Sequence, residues 1–246
     1  MLLKIEDLEQ KIAQNPVLKI GCIVDTNVVF ATSFPLDTYN DWGEEVFDTL
    51  HKLNIPVFTN LNVRSEFIDL NRRVLIPEGL IDFYDDYSEL LNGEIESSLK
   101  SLKTRKNKAN NENRTFKFND TDIKQFMQMF KKLNHSSGQN LWQLFCQYYL
   151  MPYIENAWEK AVQRMKINFL GTREIESKEF FDKHPSWENM VKIIGLSGIG
   201  SSDAMIINLF QESKIPLMIT ADVGVKNTLL DFMSEGKFVL APNSTN

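Results

Sequence analysis

Residues 19–30 contain Cys22-Ile23-Val24-Asp25-Thr26-Asn27-Val28-Val29-Phe30. The run is apolar, rich in β-branched residues and free of strict alternation. That is the pattern of a strand buried on both faces, which places it inside a parallel sheet. Asp25 interrupts it. A carboxylate in such a setting needs hydrogen-bond donors or a cation beside it. Two readings satisfy that need. The strand ends at Val24 and Asp25 caps a turn, or Asp25 stands at the carboxyl end of a central strand, where open α/β sheets place their ligands. Other carboxylates at comparable positions would decide between them.

The rest of the chain supplies the elements. Leu2, Ile5, Leu8 and Ile12 predict a short lead-in helix over 2–14, broken at Pro16. Trp42, Val46, Phe47, Leu50 and Leu53 share a helical face over 39–53, and residues 55–59 read as a second strand. Asn60 is a candidate N-cap for a helix carrying Val63, Phe67 and Glu66. Residues 78–102 form another helical stripe, and 120–133 and 139–169 two more, the last interrupted at Pro152 and ended by Gly171. Ser186 caps a short helix through Ile194, residues 195–200 make a Gly-rich turn, and Ser201 or Ser202 caps the next helix. A strand over 215–220, a helix over 225–233 and a strand over 237–240 follow. Strand and helix alternate in the outer parts of the chain, which predicts an α/β fold with a central, mostly parallel sheet. The middle is all helical. The expected division is therefore a discontinuous core, 1–77 and 186–246, and a helical insertion, 78–185.

Within the insertion, residues 100–117 carry seven bases against one acid, Glu112, and few apolar residues. The expectation is a mobile basic loop, with Lys103, Arg105, Lys106 and Lys108 as candidates for contacting a phosphate backbone. An equal alternative is a solvated loop with no partner. The aromatic run Trp142, Phe145, Tyr148, Tyr149, Tyr153 and Trp158 reads as insertion core.

Four acids fall at element edges: Asp25 after the first long strand, Glu66 near a helix start, Asp203 after the glycine turn, and Asp222 after the strand ending near Thr220. In a parallel sheet, strand carboxyl ends and the following helix amino ends share one rim, so the four can converge. Two unit charges about 4 Å apart repel by roughly 4 kcal/mol at an effective dielectric of 20. A hard divalent cation with oxygen ligands is the common remedy. Ile23-Val24-Asp25-Thr26-Asn27, Ser65-Glu66-Phe67, Ser202-Asp203-Ala204-Met205-Ile206 and Ile219-Thr220-Ala221-Asp222 resemble, in that order, the four motifs of PIN-domain nucleases. The resemblance covers about 17–76 and 186–242. It implies a three-layer α/β sandwich with a carboxylate cluster, Asp25, Glu66, Asp203 and Asp222, that binds Mg²⁺ or Mn²⁺ and cleaves single-stranded RNA. It also implies that Asn27 and Thr220 support the acids. The helical middle departs from that family's compact form, and no further acid directly follows Asp222.

A net charge of −6 excludes a wholesale cationic coat for nucleic acid while leaving room for a local patch. Two cysteines, Cys22 and Cys146, and three scattered histidines provide no zinc-ligand spacing. Two cysteines in a strand and a helix read as reduced thiols, and the first seven residues carry the acids Glu6 and Asp7 where a signal peptide would carry bases, so a cytoplasmic protein without a membrane span is expected. No Gly-x-Ser-x-Gly elbow is present. A haloacid-dehalogenase-like phosphatase wants an Asp two residues after the first, where Asn27 stands. The competing readings are a non-catalytic PIN-like module that binds RNA or protein, and a nuclease directed at DNA. A neutralising protein partner and a homodimer are the partners such a chain could carry besides RNA.

Overall fold

The computed structural model describes residues 1–171, 175–181 and 183–243, without the side chains of 175–177. The parts of the expected blocks at 172–174, 182 and 244–246 lie outside the described residues. The chain forms two compact units, residues 1–35, 39–67 and 161–246, and residues 36–38 with 68–160.

The first unit is built on a six-stranded sheet: β1 (Leu2–Leu3), β2 (Cys22–Val24), β3 (Val57–Thr59), β4 (Ile167–Phe169), β5 (Leu217–Ile219) and β6 (Phe238–Leu240). Their order is β1-β6-β5-β2-β3-β4, and every pair is parallel. Ile23 pairs with Phe58 on one side and Met218 on the other. Successive side chains of a strand point to opposite faces. All three residues of each of β2, β3, β5 and β6 are buried, so both faces of the sheet are covered. That is the organisation of an α/β sandwich. Cys22 is wholly buried in β2, and burial pushes its thiol pKa up. The helices of this unit are α1 (Leu8–Gln14), α2 (Thr26–Ala31), α3 (Asn40–Lys52), the start of α4 (Leu61–Tyr87), α9 (Trp187–Ser197), α10 (Ser201–Glu212) and α11 (Val223–Phe232). Asn60 caps α4 through its side-chain oxygen, which accepts from Val63 N–H at 3.0 Å, and Ser186 caps α9 at 3.1 Å from Asn189 N–H.

Several expectations are corrected here. The lead-in is not one helix: Leu2 and Leu3 add a strand beside β6, and the helix begins only at Leu8. Residues 195–197 are not a turn but the end of α9, which stops at Gly198 in the left-handed region (φ 72°). The tail of the expected 139–169 helix becomes β4, because Lys166 takes φ 51° and ends the helical path.

The second unit is helical: the remainder of α4, α5 (Gly93–Asn111), α6 (Asp120–Phe130), α7 (Leu141–Phe145) and α8 (Met151–Met165), the last running back into the first unit. Its core joins Leu80, Phe83, Leu99, Leu102, Phe118, Phe130 and Phe145. Residues 61–87 are one helix where two were expected. Pro77 lies inside it and cannot donate to the carbonyl of Arg73, and the N–H of Phe118 takes that carbonyl at 2.9 Å. Between α7 and α8 the chain makes a π-helical turn at Cys146–Leu150, just ahead of Pro152. The basic stretch is a loop only beyond Asn111; up to there it belongs to α5, which buries Ile95, Leu99, Leu102 and Ala109 along one face. Of the aromatic run, Phe145 and Trp158 are buried, whereas Tyr148 and Tyr153 are exposed. Among the described residues, no helix is long and apolar enough to cross a membrane.

Candidate functional site

β2 lies between β3 and β5, and the chain leaves it in one direction to reach β3 and is met from the other by β5. Such a point, where strand order reverses, opens a crevice outside the strand carboxyl ends. Asp25 stands there. Its N–H continues the β2–β5 pairing by donating to the carbonyl of Ile219 at 3.0 Å, and its side chain caps α2. Asp25 thus stands at the end of a central strand and also caps a helix.

Asp25 is 2 % exposed, and both of its oxygens are held. Oδ1 accepts from the N–H of Thr26 at 2.7 Å, and Oδ2 from the hydroxyl of Thr220 at 2.7 Å. The Thr220 hydroxyl in turn accepts from the N–H of Asp222 at 3.0 Å, so one small side chain ties the ends of β2 and β5 together. Glu66, on the second turn of α4, receives two hydroxyls at Oε2: Thr26 at 2.8 Å and Ser202 at 3.1 Å. Asp203 lies in the first turn of α10, and Asp222 caps α11 by accepting from Val225 N–H at 2.9 Å. The amino ends of α2, α10 and α11 therefore border the same rim, and each favours negative charge.

The electrostatics show that the acids feel one another. Burial pushes Asp25 up to about 7 despite the donors from Thr220 and Thr26, and the charges of Glu66 and Asp203 push in the same direction. Burial also pushes Asp203 up to about 6, with Glu66 and Asp222 adding to it. Asp25, Glu66, Asp203 and Asp222 thus share one neighbourhood in the first unit, although a whole helical unit intervenes in the chain.

Two contributors escaped the sequence reading. Thr26 and Ser202 hold Glu66, while Asn27, the expected support, is half-buried one residue further along α2. Ser201 or Ser202 was expected to cap α10, but the cap position is Gly200, and the Ser202 hydroxyl is left to reach across. The signal was present: a hydroxyl residue directly follows Asp25 and another directly precedes Asp203.

An all-oxygen, mutually repelling donor set suits a hard divalent cation. Among the described residues, no three His, Cys, Asp or Glu side chains stand close enough to hold an ion between them as placed. Mg²⁺ does not require three, since it keeps several waters and takes one or two carboxylates directly. The all-oxygen chemistry of these residues is the kind such an ion takes.

The basic candidates lie in the second unit, each beside an acid of that unit: Lys103 with Asp85 at 3.5 Å, Arg105 with Asp122 at 3.5 Å, Lys106 with Glu78 at 3.4 Å and Lys108 with Glu112 at 4.0 Å. Arg72 and Arg73, which follow Glu66 on α4, are joined to Asp69 and Asp120. No protein-family model, no curated protein and no solved structure matches this chain.

Proposed function

We propose that this protein is a metal-dependent endonuclease of the PIN-like kind, hydrolysing phosphodiester bonds of single-stranded RNA at Asp25, Glu66, Asp203 and Asp222. The observation that supports it is the gathering of four acids at the switch point of a parallel sheet, where burial, with the neighbouring acids adding to it, lifts Asp25 to about 7 and Asp203 to about 6. A cluster that resists losing its protons is one that a divalent cation stabilises in the ionised form. These four side chains would hold Mg²⁺ or Mn²⁺ directly or through water, and the bound ion would supply Lewis acidity toward water and the leaving oxygen. The chain's own part is positional. Thr26 and Thr220 fix both oxygens of Asp25, and Thr26 with Ser202 aims Glu66.

The decisive assay is incubation with single-stranded RNA and with single-stranded DNA, in Mn²⁺, in Mg²⁺ and in chelator. RNA cleavage with either ion, none in chelator, and loss of most activity in Asp25→Asn is the expected outcome. Wild-type rates in that variant would defeat the assignment, and preferential cleavage of DNA would redirect it. A second reading, a non-catalytic module that binds RNA or protein, draws support from the lack of a preformed three-ligand group among the described residues. Calorimetry separates the two: no Mg²⁺ or Mn²⁺ binding at millimolar concentration supports the module.

A further inference from the structure

A second depression lies along the same rim of the first unit, outside the ends of β3 and β4. Its volume is about 470 Å³, inside the range of roughly 300–1,000 Å³ usual for small-molecule sites. Among the described residues, every lining side chain is uncharged. Two large aromatics on it face solvent: Trp187 is 69 % exposed and Phe169 42 % exposed. Met205 contributes a flexible apolar wall.

Asn208 also lines this cavity and is 4 % exposed. Its amide nitrogen donates to the carbonyl of Ser186 at 2.7 Å, which fixes which end of the amide is which. Among the described residues, its Oδ1 is buried with no hydrogen-bond partner. An unmet acceptor at this depth asks for an N–H donor, and a donor in the cavity reaches it once the side chains that cover it shift. The position matters as well. Asn62, another lining residue, precedes Glu66 by four residues on α4, so the two share a helix face one turn apart.

We propose that this cavity is a subsite for one unpaired nucleobase, stacked on Trp187 and Phe169, with an N–H of its pairing edge donating to Asn208 Oδ1. The uncharged lining formed by the described residues suits a neutral base better than a phosphate. Stacking on aromatics with a hydrogen bond to the pairing edge is how unpaired bases are read. A base inside a duplex has that edge occupied. The cavity would therefore make the enzyme select single strands, which rests on the nuclease reading above for its purpose but not for its binding chemistry.

Neutral nucleosides test it without any cleavage. Adenosine carries an amine on its pairing edge, and purine riboside has no N–H donor there. Calorimetric titration of the full chain is expected to show adenosine binding about tenfold more tightly than purine riboside. Trp187→Ala, at an exposed position that leaves the fold intact, is expected to weaken adenosine by about tenfold. Asn208→Ala should erase the difference between the two nucleosides while binding both. Equal affinity of wild type for the two nucleosides overturns the subsite, as does unchanged adenosine affinity in Trp187→Ala. RNA cleavage without nucleoside binding would sink the subsite and leave the nuclease standing, and nucleoside binding without cleavage would do the reverse.

Discussion

Asp25 is gripped at both oxygens and still resists ionisation, because burial and the neighbouring acids outweigh two short hydrogen bonds. The sign of the consequence follows from linkage. The native state keeps a proton on Asp25 that the unfolded chain has lost, so metal-free stability is full below pH 4 and falls as pH rises from about 4 toward 7. A rise from the ordinary 3.8 to about 7 corresponds to roughly 4 kcal/mol between the two forms. Asp203, raised to about 6, acts in the same direction. Thermal unfolding in chelator should therefore show wild type losing stability between about pH 4 and pH 7, with Asp25→Asn losing much less. Added Mg²⁺ should raise the midpoint more at pH 8 than at pH 5, and equal effects at both would contradict the site. Thr220→Val removes one donor to Asp25, and calorimetry should register a loss of metal affinity of roughly 10- to 100-fold. The acids were legible because each sits at a strand end or a helix start. Thr26 and Ser202 were not, since a hydroxyl beside a helix start reads as a cap until its partner from another part of the chain is visible.

At the level of elements, legibility followed length and burial. β2, β3, β5 and β6 announced themselves as apolar runs because both of their faces are covered. β1 has two residues and β4 three, with an exposed pair at the end of β4, too short for any period to register. The basic stretch misled for a different reason. Lys and Arg are good helix formers, and sparse apolar positions sufficed because they fall on one face of α5 and pack into a ready core. Pairs one turn apart, Glu96 with Lys100 at 2.7 Å among them, steady its exposed side. Entry into β2 depends on Gly21, whose φ is 145°. A Cβ there would meet the ring of Phe58 at 2.5 Å and the carbonyl of Pro56 at 2.9 Å. Gly21→Ala is expected to cost roughly 1–3 kcal/mol in denaturant unfolding. Lys237, ahead of β6, donates to the carbonyls of Phe210, Ser213 and Ile215 at the end of α10, and burial lowers its pKa to about 8. Lys237→Ala leaves those carbonyls without that donor and should cost about 2 kcal/mol or more.

For the molecule as a whole, the change in composition along the chain announced a helical middle, while its boundaries did not show. Division falls after residues 67 and 160, inside α4 and α8, because a helix can begin in one core and finish in another without any break in its pattern. All four acids belong to the sheet unit. Leu99→Ala, in the core of the helical unit, should cost roughly 2–5 kcal/mol. Hydrogen exchange should find the lost protection within residues 68–160, with β2 and β5 unaffected. The burial of Cys22 gives that same sheet a chemical clock. The thiol has no exposure, and its strand runs directly into Asp25, so a thiol reagent can label it only in molecules whose central strands have parted. Cys146, half-buried in the helical unit, supplies a reference under the same reagent. The mass gained over time records how often the sheet opens, and a divalent ion seated among the acids would slow that clock while leaving the reference running.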